Sequence, residues 1–108
     1  MPQITFKGIK TDELCSISKE LKDNLEKIIG CERKHIKFDI INSLDVDNGT
    51  VIESFPRAQM LWFPRDQKMQ DTVAKEITEQ LYNIGYKHIQ VTFNVFKPEN
   101  FYENAKHY

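Results

Sequence analysis

Apolar residues recur along the chain with two different periods, and the periods change in the same order twice. Ile4 and Phe6 alternate with Thr5 and Lys7, which predicts a strand over residues 3–8. Leu14, Ile17, Leu21, Leu25 and Ile28 then return every three or four residues, the spacing of one buried face of a helix over 12–29. Thr11 suits the N-cap, Asp12 and Glu13 suit the positive end of the helix dipole, and Gly30 suits the stop. Period two resumes at 35–41, where Ile36, Phe38 and Ile40 alternate with Lys37 and Asp39. Asp47-Asn48-Gly49 reads as a turn into a short strand at 50–54.

The second half repeats the plan. A strand is predicted at 58–63 and Asp66 can cap a helix. Met69, Val73, Ile77, Leu81 and Ile84 form that helix's stripe and Gly85 ends it. Residues 88–96 alternate again, Ile89, Val91, Phe93 and Val95 against Gln90, Thr92 and Asn94. Local wording also recurs: Lys34-His35-Ile36 answers Lys87-His88-Ile89, and Ile29-Gly30 answers Ile84-Gly85. The fold class is therefore α+β, built from two pseudo-repeated β-α-β units. Repeat 1 spans about 2–41, repeat 2 about 57–96, and a tail fills 97–108 of one domain covering 1–108. Two helices cover only one face of a four-stranded sheet. Thr5, Lys7, Lys37, Asp39, Gln59, Gln90, Thr92 and Asn94 line the other. A wet interior shared by subunits of a symmetric ring and a plainly solvated sheet both satisfy that face.

Composition narrows the partners. The 108 residues hold 40% hydrophobic and 29% charged side chains, with Lys+Arg 15 against Asp+Glu 16. That balance argues against a nucleic-acid or anionic-membrane binder, which needs a basic surplus. No apolar run reaches the ~20 residues of a bilayer span and no signal-peptide pattern heads the sequence, so a cytoplasmic location is expected. Cys15 and Cys31 are read as free thiols. The scattered His35, His88 and His107 lack metal-ligand spacing, and neither metal nor cofactor is expected.

The chemistry-bearing feature is Pro2. A small residue there normally lets Met1 be removed, which would leave a secondary amine at the head of the first strand. Only a terminal proline has a titratable nitrogen, and burial or neighbouring cations would lower its pKa toward neutrality.

A proline heading the first strand, followed by two β-α-β units in this length, resembles the tautomerase superfamily. More narrowly, the chain looks like its macrophage migration inhibitory factor-like branch and an uncharacterised small bacterial group of that superfamily. The words that carry the resemblance are Met1-Pro2, Lys10-Thr11-Asp12-Glu13, Leu61-Trp62-Phe63, and the ending from Phe101 to Tyr108. It implies a homotrimer with sites at subunit interfaces, Pro2 as catalytic base, and Lys10 and Lys37 binding the acid group of a substrate. Asn94 matches an asparagine on the last long strand. Thr92 replaces a pocket tyrosine, and lysine replaces arginine at the two anion-gripping positions. A lysine lacks the planar two-point grip of an arginine. Trp62 and Tyr102 are expected to wall the pocket. In the second repeat Arg57 precedes the strand and Ala58 takes the slot cognate to Pro2, where no terminal amine can exist.

Three functions compete on these residues. The first is a proline-based tautomerase or isomerase moving a proton on a small acidic keto, enol or unsaturated compound. The second is a non-catalytic ligand-binding or assembly protein on the same scaffold. The third is a ferredoxin-like regulatory or RNA-binding domain, weakened because the polar face carries no aromatic pair to stack bases.

Overall fold

The two apolar stripes become helices lying on one side of a single sheet. The computed structural model describes residues 2–108. Its first half runs β1 (Gln3–Lys7), α1 (Thr11–Ile29), β2 (Lys37–Ile41), β3 (Asp45–Asp47) and β4 (Thr50–Ile52). Its second half runs β5 (Arg57–Trp62), α2 (Gln67–Asn83), β6 (Gln90–Val95), β7 (Tyr102–Glu103) and β8 (Lys106–His107). The main sheet has the order β2-β1-β5-β6. β1 runs parallel to β2, β5 parallel to β6, and the two central strands antiparallel. Each parallel pair is joined by its own helix, so the fold is the expected α+β pair of β-α-β units.

Register follows the alternation. Ile4, Phe6, Ala58, Met60 and Trp62 point under the helices and are buried with Leu21, Leu25, Val73, Ile77 and Leu81. On the outward face the strands align in rows: Lys37–Gln3–Leu61–Asn94, Asp39–Thr5–Gln59–Thr92, and Ile41–Lys7–Arg57–Gln90. Thr5 and Lys7, on the central strand, are half-buried, while Lys37, Asp39, Gln59, Gln90, Thr92 and Asn94 are exposed.

β5 starts one residue earlier than the periodicity predicts and β6 two residues later, and other boundaries differ for local reasons. Lys10, not Thr11, caps α1: its backbone is extended and its N–H donates to Glu13 Oε1 at 3.3 Å. The strand expected from residue 35 begins at Lys37, because a 3-10 turn over 33–35 precedes it, with Ile36 N–H bonded to the Arg33 carbonyl at 3.1 Å. The expected strand at 50–54 is half of a hairpin. Asn48 and Gly49, at φ 49 and 78, make a tight turn between β3 and β4. The tail folds too, its β7–β8 hairpin turning on Asn104 and Ala105 at φ 53 and 68. Asp66 caps α2 as expected, accepting from Met69 N–H at 2.7 Å. No helix among the described residues is long and apolar enough to cross a membrane.

Candidate active site

Pro2 sits at the first step of the sheet with its ring fully buried, and its carbonyl accepts the Lys37 N–H at 3.0 Å. That bond fixes the register of β1 on β2 and draws Lys37 to the proline end of the outward face. Lys37 in turn lines a cavity of about 280 Å³ with Lys34, His35, Glu103 and Tyr108. The 3-10 turn supplies Lys34 and His35, and the tail supplies Glu103 and Tyr108. The expected removal of Met1 concerns a residue outside the described ones.

Aromatic packing holds the tail over this end. The Phe63 ring meets Phe96 at 4.7 Å, Phe101 at 5.9 Å and Tyr108 at 5.6 Å between centroids. Tyr108 donates its hydroxyl to Glu103 Oε2 at 2.9 Å, and this bond raises the phenol's pKa above its ordinary value. Glu103 is thereby held at the rim of a cavity that also carries the Lys34 and Lys37 ammonium groups. Lys22, behind β2, shows the same surplus from the helix side. Burial lowers its pKa first, and the charges of Arg33 and Lys37 lower it further.

The residues singled out from the sequence fall in different places. Lys37 lies next to Pro2. Asn94 is exposed in the same row but on the opposite edge strand, three strand spacings or about 14 Å away. Trp62 is wholly buried one step past the Gln3–Leu61 pair, its ring 5.1 Å from Phe93 and under the Arg65 guanidinium. Tyr102 is exposed and leans on His107. Lys10 is far off, at the start of α1 beyond the other end of β1. It borders a separate cavity of about 540 Å³ with Ile41, Ser43, Glu53 and Tyr86. Tyr86 donates to Glu13 there, and burial together with that carboxylate pushes its phenol up to about 12.

Sequence reasoning passed over Lys34, His35, Glu103 and Tyr108 as lining residues. The signal for the first two was the repeated Lys-His-Ile. The tail residues carried none, because nothing local says that a C-terminal segment folds back. Both cysteines are free thiols; Cys31 is half-buried, and burial raises its pKa. Among the described residues no group of three His, Cys, Asp or Glu is placed to hold a metal ion.

The repeat is tighter in space than in sequence. Pro56 is buried like Pro2, and its carbonyl accepts the Gln90 N–H at 3.1 Å, as Pro2 accepts from Lys37. Pro56, one residue before Arg57, is therefore the cognate of Pro2, and the expectation of Ala58 in that slot is corrected by two positions. The periodicity of Ala58 and Met60 gave the strand's face but not its starting register.

Solved structures share this architecture. A domain of unknown function (DUF1904) from Sebaldella termitidis superposes with TM-score 0.93 at 25% identity, covering 100% of both chains. A macrophage migration inhibitory factor-like protein from Entamoeba histolytica gives 0.77 at 13% identity, over 99% of this chain and 98% of its own. A fused 4-OT described as an asymmetric trimer gives 0.81 at 10% identity, over 97% and 94%. No curated protein matches the sequence. The fold is that of the tautomerase superfamily, and the match of residues 1–107 shows that the chain belongs to the family described as Domain of unknown function (DUF1904).

Proposed function

We propose that the protein is a tautomerase or isomerase in which the amine of Pro2, freed by loss of Met1, is the general base. It removes a proton alpha to a carbonyl of a small acidic keto, enol or unsaturated substrate and returns it elsewhere. The observation that carries the reading is the buried Pro2 ring bonded through its carbonyl to Lys37, which lines a cavity with Lys34 and His35. Burial and nearby ammonium groups both favour the neutral amine. The same cations suit a substrate carboxylate and a developing enolate oxygen. Lys10, Asn94 and Tyr102 are proposed to complete the site in the assembled protein, whereas Trp62, wholly buried under the helices, backs the sheet from the core instead of walling the pocket.

The assembly is proposed to be a homotrimer in the cytoplasm, its partner a small molecule and neither nucleic acid nor membrane. The β3–β4 hairpin supports association, since Leu44, Val46 and Val51 are 76%, 68% and 62% exposed. β2 and β6 also stand as free sheet edges among the described residues.

One observation favours a non-catalytic ligand-binding or assembly protein instead: Lys10 and Pro2 lie at opposite ends of β1 in one chain. Treatment with a small alkynoate, followed by intact mass and peptide mapping, separates the readings. The enzyme reading expects a chain lacking Met1 that takes one adduct on Pro2, with turnover abolished in parallel. Retained Met1, or an adduct elsewhere with turnover intact, rejects it.

A further inference from the structure

The internal repeat duplicates more than strands and helices. At the start of repeat 1, Lys34, His35 and Lys37 line a cavity of about 280 Å³ with Glu103 and Tyr108, and the Lys37 N–H bonds the Pro2 carbonyl. At the start of repeat 2 a second cavity, of about 360 Å³, is lined by Pro56, Lys87, His88, Glu53, Tyr86 and Phe55. Each lining holds a lysine–histidine pair, one glutamate and one tyrosine. The pairs occupy matching places, just before the strand whose first N–H bonds the buried proline's carbonyl. The glutamates and tyrosines come from unrelated segments, so the likeness of the two linings is chemical and not simply copied sequence.

The second cavity has its own ordering. The Phe55 ring meets the His88 imidazole edge-on at 4.4 Å, and the Arg57 guanidinium covers Phe55 at 5.1 Å. His88 is thus braced although exposed. Arg57 is spoken for by Asp45 at 2.8 Å, which leaves Lys87 as the cation free to meet a ligand here. What this cavity lacks is a terminal proline amine: Pro56 is inside the chain, and its amide lone pair is delocalised into the carbonyl and does not accept a proton.

We infer that the start of the second repeat is a second, non-covalent site for a small carboxylate, held by Lys87 and His88 over Pro56. It takes the same anion class as the proline site, and to that extent rests on the reading of that site as an acid-binding pocket. Its consequence is that one chain binds two acid molecules and can transform only the one at Pro2.

The test is a pyruvate titration of ¹⁵N-labelled full-length protein, read by backbone amide shifts. Two saturable sets of shifts are expected, one at residues 34–37 and one at residues 85–90. Lys87→Ala with His88→Ala should weaken the second set at least tenfold and leave the first unchanged, whereas Pro2→Ala should leave the second intact. Glu53→Gln should tighten the second set by removing the one carboxylate at its rim. Saturation at 34–37 alone overturns the second site and leaves the proline site standing. Saturation at neither overturns both as acid-binding pockets. Shifts at 85–90 that survive the double substitution, or that acetone reproduces, overturn the assignment to Lys87 and His88.

Discussion

Gly8 offers a sharp test of how the two repeats are joined. The chain leaves β1 there at φ 74, and a Cβ at that position would stand 1.9 Å from the Phe55 carbonyl oxygen and 2.5 Å from its carbon. Ordinary contact lies near 3.5 Å, so the two backbones must part by about 1.5 Å to admit a methyl group. The left-handed backbone alone costs an alanine about 1–2 kcal/mol. Forcing apart a packed crossing adds about 1–3 kcal/mol. The sum, roughly 2–5 kcal/mol, is a large share of the ~5–15 kcal/mol that a domain commands. At this size it lowers the melting temperature by about 15 °C. Gly49 is the control, because its φ is 78 and a Cβ there meets nothing within 4 Å. Gly49→Ala should carry only the backbone part, about 5 °C. Far-UV circular dichroism melts of the three proteins decide it. Equal losses in the two variants would refute the close crossing and leave only the cost of a left-handed alanine.

Other outcomes follow from single groups. Pro2→Ala removes about two buried methylenes, so stability should fall by about 1.5 kcal/mol in urea while turnover falls at least ~100-fold. A variant that keeps its rate excludes the amine mechanism. Tyr86 has a folded pKa of about 12, above its ordinary 10. Its contribution is therefore present below pH ~10 and lost as pH climbs through ~12, amounting to roughly 1 kcal/mol once partial exposure is discounted. Urea midpoints of wild type and Tyr86→Phe should converge over that window, and a gap that ignores pH would count against the Glu13 bond. Lys22 is depressed by burial and by Arg33 and Lys37, so its ammonium is held at a disadvantage in the fold. Lys22→Met keeps cover over Phe38 but gives up the ammonium's 5.1 Å contact with that ring, so any gain in stability should shrink as pH rises through the lowered pKa, read from urea midpoints. Asp66→Ala should cost about 1 kcal/mol through the lost cap of α2, measured by the same unfolding curve.

The parts legible in the sequence were those where a single period repeats long enough to average out exceptions. Both helix stripes and the alternation of Ile4, Phe6, Ala58, Met60 and Trp62 are of this kind. What escaped was set by few residues or by distant ones. The β3 strand is three residues long with two aspartates, which no periodicity distinguishes from a loop. The start of β2 is decided by a 3-10 turn whose hydrogen bonds look the same as strand in a string of alternating residues. The tail's return over the proline end is written in Phe63, Phe96, Phe101 and Tyr108 together. Those four positions have no spacing rule linking them. The site divided in the same way. The place of Pro2 at the head of β1 was legible because the alternation of Ile4 and Phe6 begins directly after it. The neighbours of Pro2 depended on where a strand pair begins, and Pro56 shows how two positions of register change the answer.

The placement of Lys10 makes its proposed role in substrate binding depend on a neighbouring copy. From Pro2 to Lys7 the chain is extended and spans about 17 Å, and Lys10 lies beyond a further turn, among residues that follow the far end of β2. No lysine side chain returns over that distance, so within one chain the proline end has Lys34, His35 and Lys37 and must do without Lys10. If Lys10 grips substrate at Pro2, it does so from a neighbouring copy, and dilution to the monomer should then weaken substrate binding along with assembly. If instead Lys34, His35 and Lys37 suffice, Lys10→Ala should leave the Michaelis constant unmoved at every concentration. A titration of activity against protein concentration, run on both chains, tells whether the site is completed by one copy or by two.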